Sequence, residues 1–163
     1  MAQEGPPRFL VDGMAIRLGK YLRCLGYDAE WEHGAGTRAL VRRARAEGRV
    51  LLTRNSRIGT EIEPPPRWIA LSEEDPVAQL AQVLEELELD PAEQLFTRCI
   101  RCNVALDVAS PQEVASRVIE AVRARHTQFF ACPSCGTIFW RGSHVENTCR
   151  KLGIVPPREG APD

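Results

Sequence analysis

Residues 49–59 read RVLLTRNSRIG, and the reading of this stretch decides the fold class. Val50, Leu51 and Leu52 form an unbroken apolar run, and polarity then switches at Thr53-Arg54-Asn55-Ser56-Arg57. A strand without polar alternation is buried on both faces, as in parallel sheets covered by helices. Open sheets of that kind place their ligand crevice at the carboxyl ends of the strands. The tip beyond 50–53 offers a cation, an amide and hydroxyls but no carboxylate. It can serve as a catalytic rim, a binding rim or a plain turn.

Working outward, Phe9-Leu10-Val11 is a second apolar strand, closed by Asp12-Gly13. A helical pattern follows, with Met14, Leu18, Tyr21, Leu22 and Leu25 on its apolar face. Gly26 suits the position just past that helix, and Tyr27 to Trp31 reads as another strand. Thr37 is expected to cap a second helix that ends at Gly48. Pro64-Pro65-Pro66 interrupts regular structure, and RWIAL at 67–71 reads as a fourth strand. Asp75-Pro76 opens a helix with Val77, Leu80, Ala81, Leu84 and Leu87 as its expected face. Strands alternating with helices at this spacing predict βαβ units and a parallel sheet, a domain spanning 8–92.

The chain of 163 residues has a net charge of only −1, which hides a partition. Residues 1–58 carry eleven Lys and Arg against six Asp and Glu; 59–95 carry one against ten; 96–163 carry nine against six. Basic segments attract polyanions such as nucleic acid, although scattered solvated charge gives the same count. The acidic helix 73–93 reads as solvated and as a face for a protein partner. No run approaches the roughly 18 apolar residues of a membrane span. Residues 1–7 have no apolar signal-peptide core, so a cytoplasmic location is expected. Residues 1–7 and 156–163 read as flexible tails.

Six cysteines in a cytoplasmic chain point to metal before disulfides. Cys99-Ile-Arg-Cys102 and Cys132-Pro-Ser-Cys135 are two knuckles bracketing a 29-residue insert. Four thiolates suit tetrahedral Zn2+ with no open coordination position, hence a structural zinc module over 96–150. The insert reads as one helix from Pro111, with Val114, Val118, Ala121 and Val122 on one face. Cys24 is expected in the core of the first helix.

Asp12 sits between a buried strand and a helix, where a carboxylate projects into the crevice or merely caps the helix. Arg17, Lys20 and Arg23 fall on the polar side of that helix, and a carboxylate beside cations suits a divalent metal meeting a phosphodiester. A solvated helix face is the plainer alternative. Phe139 and Trp140 offer base stacking or a seam that docks the module; Arg141 and His144 read as exposed nucleic-acid contacts.

Jointly, FLVDGM (9–14), LGYD (25–28), EGRVLLTRN (47–55) and CPSCGTIFWRGSH (132–144), in this order with the paired knuckles, resemble the Mut-seven C-terminal RNase domain family. The resemblance runs from Arg8 to His144 and implies a PIN-like α/β nuclease domain followed by a zinc ribbon. It further implies a Mg2+- or Mn2+-dependent endoribonuclease acting on single-stranded RNA. Asp12 matches the family's first acid, and Asp28 matches another that can equally be structural. Thr37 and Asn55 stand where the family commonly has acids. The catalytic set implied is therefore Asp12, Asn55 and Arg54, with Arg17, Lys20, Arg57, Arg141 and His144 contacting RNA. Glu30, Glu32, Glu47, Glu61 and Glu63 are the nearby acids available to substitute. The competing expectation is an RNA- or RNP-binding protein whose nuclease centre has decayed.

Overall fold

The computed structural model describes residues 5–156; of the two expected tails, residues 1–4 and 157–163 lie outside the described residues. Four short strands, β1 (Phe9–Val11), β2 (Ala29–Trp31), β3 (Val50–Thr53) and β4 (Trp68–Ala70), form a parallel sheet in the order β2-β1-β3-β4. Val11 lies beside Trp31 on one side and Leu52 on the other, so the apolar triplets stack in register. The strand order reverses direction between β1 and β3, the place where open sheets bind ligands.

Helices cover both faces, which is why β1 and β3 tolerate no polar alternation. Phe9, Val11, Val50 and Leu52 pack against Leu18 and Leu22 of α1 (Ile16–Cys24) and Leu80 and Val83 of α3 (Pro76–Glu86). On the opposite face Leu10 and Leu51 meet Leu40, Val41 and Ala44 of α2 (Thr37–Glu47). Each of the Val, Leu and Phe side chains contributes about 1.5–3 kcal/mol on full burial.

Several expectations need correction. Met14 is 82% exposed, because Gly13–Ala15 form a 3-10 turn and the helix proper starts at Ile16. Gly36, not Thr37, is the N-cap of α2, and its backbone rather than a side chain starts the helix. On α3 the inward positions are Gln79, Leu80 and Val83, while Ala81 is exposed. Gly26 ends the first helix as expected, at φ +89, and the Gln94 carbonyl lies 2.1 Å from where a Cβ would stand.

After residue 95 the architecture changes to a small antiparallel sheet, β5 (Asp107–Val108), β6 (Phe130–Ala131) and β7 (Ile138–Phe139). The insert is two helices, not one: α4 (Pro111–Arg117) and α5 (Glu120–Arg123), separated where Val118 turns extended. Val118 alone points inward, and Ile119 is 70% exposed. The last helix, α6 (Ser143–Leu152), returns to the first layer: Cys149 and Ile154 belong to the same buried cluster as Leu18 and Leu22. Among the described residues no helix is long and apolar enough to cross a membrane.

Candidate functional site

The sheet register places Asp12 next to Thr53 across the β1–β3 crevice. Asp12 Oδ2 accepts from the Thr53 hydroxyl at 2.8 Å, and Oδ1 accepts from the Met14 amide at 3.2 Å. The carboxylate therefore does both things its position allowed: it caps the 3-10 turn and faces the crevice. Thr53 Oγ1 in turn accepts from the Asn55 amide at 3.0 Å. Asn55 Nδ2 donates to Thr37 Oγ1 at 2.6 Å, while Asn55 Oδ1 accepts from the Arg57 amide at 3.0 Å. The three positions at which the family resemblance expects acids are thus brought together in one hydrogen-bonded chain, Asp12–Thr53–Asn55–Thr37. Only Asp12 in it carries charge. Thr53, 1% exposed, is the link that sequence reasoning passed over. Its signal was the register, because Thr53 follows Leu52 as Asp12 follows Val11.

The cations around this edge differ in their freedom. Arg54 pairs with Glu74 at 3.0 Å and Arg57 with Glu61 at 2.8 Å, both as exposed pairs that contribute little and exchange easily. Arg17 and Lys20 are exposed on α1. Arg23 is not a site cation: it is 5% exposed and donates to the carbonyls of Ala29, Ile100 and Arg101 at 2.8, 2.9 and 3.1 Å. Its guanidinium lies 3.8 Å over the Trp31 ring, and burial holds its pKa below the usual arginine value.

Asp28 lies at the opposite, amino-terminal edge of the sheet. It accepts from Arg49 Nη1 and Nη2 at 2.7 and 3.2 Å and from Asn103 Nδ2 at 2.7 Å. Burial pushes its carboxyl up, but the bonds from Arg49 and Asn103 outweigh this and leave it below the ordinary aspartate value. Asp28 is structural. The other acids are also engaged: Glu30, Glu32 and Glu47 with Arg43, Glu61 with Arg57, and Glu63 with Arg45.

The four knuckle cysteines converge. One ligand atom from each of Cys99, Cys102, Cys132 and Cys135 lies within 4.8 Å of the others, and the Cys99 and Cys135 sulfurs are 3.9 Å apart. Zinc–sulfur bonds of about 2.3 Å in a tetrahedron require sulfur–sulfur edges of about 3.8 Å, so the donor set fits Zn2+. Amides of the two turns already point at sulfur: Cys102 N lies 3.5 Å from Cys99 Sγ and Cys135 N 3.4 Å from Cys132 Sγ. Among the described residues no other group of three or more His, Cys, Asp or Glu gathers this closely.

Asn103, at φ +61 directly after the first knuckle, fastens the cysteine module to the sheet. Its Oδ1 accepts from the Ala29 amide at 3.1 Å, and its Nδ2 reaches Asp28 and Glu30. The edge strand β2 is thereby covered rather than left open. Phe139 and Trp140 are half-buried, and the Trp140 ring lies 6.2 Å from Phe129. His144 is exposed at the start of α6, and Arg141 is partly buried just before it.

A family model described as the Mut7-C RNAse domain matches residues 7–152. No curated protein and no solved structure matches the chain.

Proposed function

The chain belongs to the Mut7-C RNAse domain family, and from that premise we propose that it engages single-stranded RNA at the β1–β3 edge, with hydrolysis there weak and binding its main role. The observation that carries this reading is the chain Asp12–Thr53–Asn55–Thr37, which has the shape of a nuclease centre but one carboxylate. A Mg2+ ion is usually held through carboxylates together with substrate phosphates. Here both Asp12 oxygens are already hydrogen-bonded, Asn55 turns its oxygen toward its own loop, and the neighbouring acids are ion-paired. The residues present do not fit a Mg2+ or Mn2+ centre of the family type.

What the edge retains suits phosphate: Arg54 and Arg57 can leave exposed carboxylates for an RNA backbone, and Arg17 and Lys20 extend the cationic surface along α1. Asp12 then acts as an orienting acceptor, held rigid by Thr53. The reading assigns residues 8–92 to a PIN-like domain and 96–150 to a zinc ribbon in which Cys99, Cys102, Cys132 and Cys135 hold structural Zn2+, in a cytoplasmic protein. The second reading, a metal-dependent endoribonuclease, is favoured by the family match and by the position of Asp12.

The test compares binding and cleavage of single-stranded RNA by the zinc-loaded protein, with and without Mn2+. The expected result is binding with slow cleavage, and a gain of both metal affinity and cleavage in Asn55→Asp. Fast Mn2+-dependent cleavage by the unaltered chain, abolished in Asp12→Asn, would establish the second reading instead.

A further inference from the structure

A groove of about 270 Å3 runs between the cysteine module and the α1–α6 pair, lined by Cys24, Phe96, Ile100, Phe139, Trp140 and His144. It continues into a neighbouring cleft of about 190 Å3 that shares Phe96, Phe139 and Trp140 and reaches Arg98 and Arg141. Three aromatic rings thus wall an open apolar slot with cationic side chains at its rim. Two local features mark these walls. Phe96 adopts φ +59, a strained conformation for a large side chain that persists only where its surroundings over-determine it. The Trp140 indole lies against Gly142, where a Cβ would stand 2.8 Å from Nε1.

The groove and the β1–β3 edge sit at opposite ends of one helix. Asp12 caps the turn leading into α1, and Cys24, the last residue of α1, lines the groove. The twelve-residue separation is about 18 Å at helical rise. Arg17, Lys20 and Cys24 recur at i, i+3 and i+7, so the cations of α1 lie on a stripe leading toward the groove. Lys151 of α6 adds a further cation beside that stripe, 5.5 Å over the Tyr21 ring.

We propose that this groove is a base-stacking subsite for single-stranded RNA, and that a strand held at the β1–β3 edge follows α1 to place an unstacked base among Phe96, Phe139 and Trp140. The proposal rests on the RNA reading given above. Aromatic walls accept any base face and are sequence-tolerant, while the cationic stripe carries the backbone. A fully stacked strand bridging both ends would span about five nucleotides at about 3.4 Å each, and an extended strand fewer.

The experiment measures affinity of the full zinc-loaded chain for a fluorescein-labelled ten-nucleotide oligouridylate and for a ten-unit abasic strand. Trp140→Ala is expected to weaken binding of the ten-nucleotide strand about tenfold or more, with Trp140→Phe keeping most of it. The abasic strand should be insensitive to Trp140→Ala. The paired change Arg17→Ala with Lys20→Ala should instead lower the salt dependence. Photocrosslinking of a 5-iodouridine strand to the unaltered chain, with expected adducts at Phe139 or Trp140, gives an answer even if Trp140→Ala does not fold. Strong RNA binding with unchanged affinity in a folded Trp140→Ala, or adducts confined to residues 53–57, removes the subsite and leaves the RNA reading standing. Displacement of an apolar dye from the groove by an aromatic peptide but not by RNA assigns it to a protein and overturns the proposal. Absence of any RNA binding overturns both.

Discussion

Replacing Arg23 by Met tests how the cysteine module is held to the α/β layer. Met keeps an aliphatic stem of similar length but removes the guanidinium from over the Trp31 ring and deletes the bonds to the carbonyls of Ala29, Ile100 and Arg101. A buried polar group left unpaired costs about 1–3 kcal/mol, and three carbonyls on one lost partner do not add fully. Against this, the substitution relieves the burial of a cation, a cost visible in the depressed pKa of Arg23. The balance is about 2–3 kcal/mol of destabilisation. For a chain of this size each kcal/mol moves the melting temperature by about 2–4 °C, so a fall of about 4–12 °C is expected by calorimetry of the zinc-loaded protein. Arg23→Lys should recover only part of the loss, because an ammonium cannot reproduce the guanidinium fork. A melting temperature within 2 °C of the unaltered protein for Arg23→Met, or full recovery with Arg23→Lys, would refute the reasoning.

Cys132→Ser should lower bound zinc from about one ion per chain to a small fraction, read by metal analysis, and loosen residues 96–150 in hydrogen exchange. Asp28 sits below its ordinary pKa, so its stabilisation is complete above the unfolded value near 3.9 and is lost as pH falls through the lower folded value. Asp28→Asn should therefore lower stability at pH 7 and flatten the acid limb of the stability profile; an unchanged acid limb would count against this. Gly26→Ala forces a Cβ onto the Gln94 carbonyl at positive φ, and a loss of more than about 2 kcal/mol in denaturant titration is expected.

Much of this molecule was legible in one dimension, because its signals are local. Apolar triplets at 9–11 and 50–52 can only be doubly covered strands, and two C-x2-C turns aim paired sulfurs whatever the rest of the chain does. Position also marked Asp12, since a strand-to-helix junction fixes where a short side chain points. Periodicity misled wherever another segment, not the helix itself, chose the buried face. Arg23 reads as a polar-face cation, yet the first knuckle arrives from 77 residues away and covers it. Asp28 reads as a matched acid, yet the amino-terminal edge of the sheet places it beside Arg49 and Asn103. The insert reads as one helix, yet Val118 breaks it to reach the interior.

At the tip of RVLLTRNSRIG the sequence by itself determined the chemistry present: one amide, hydroxyls and two arginines, with no carboxylate. Only the tertiary structure decided what that chemistry does. Register set Thr53 against Asp12, and the start of α2 brought Thr37 to Asn55, closing a hydrogen-bonded chain in place of a cluster of carboxylates. Hydrogen bonds reach about 3 Å, so which groups share a proton depends on strands meeting in space, a fact no spacing along the chain encodes.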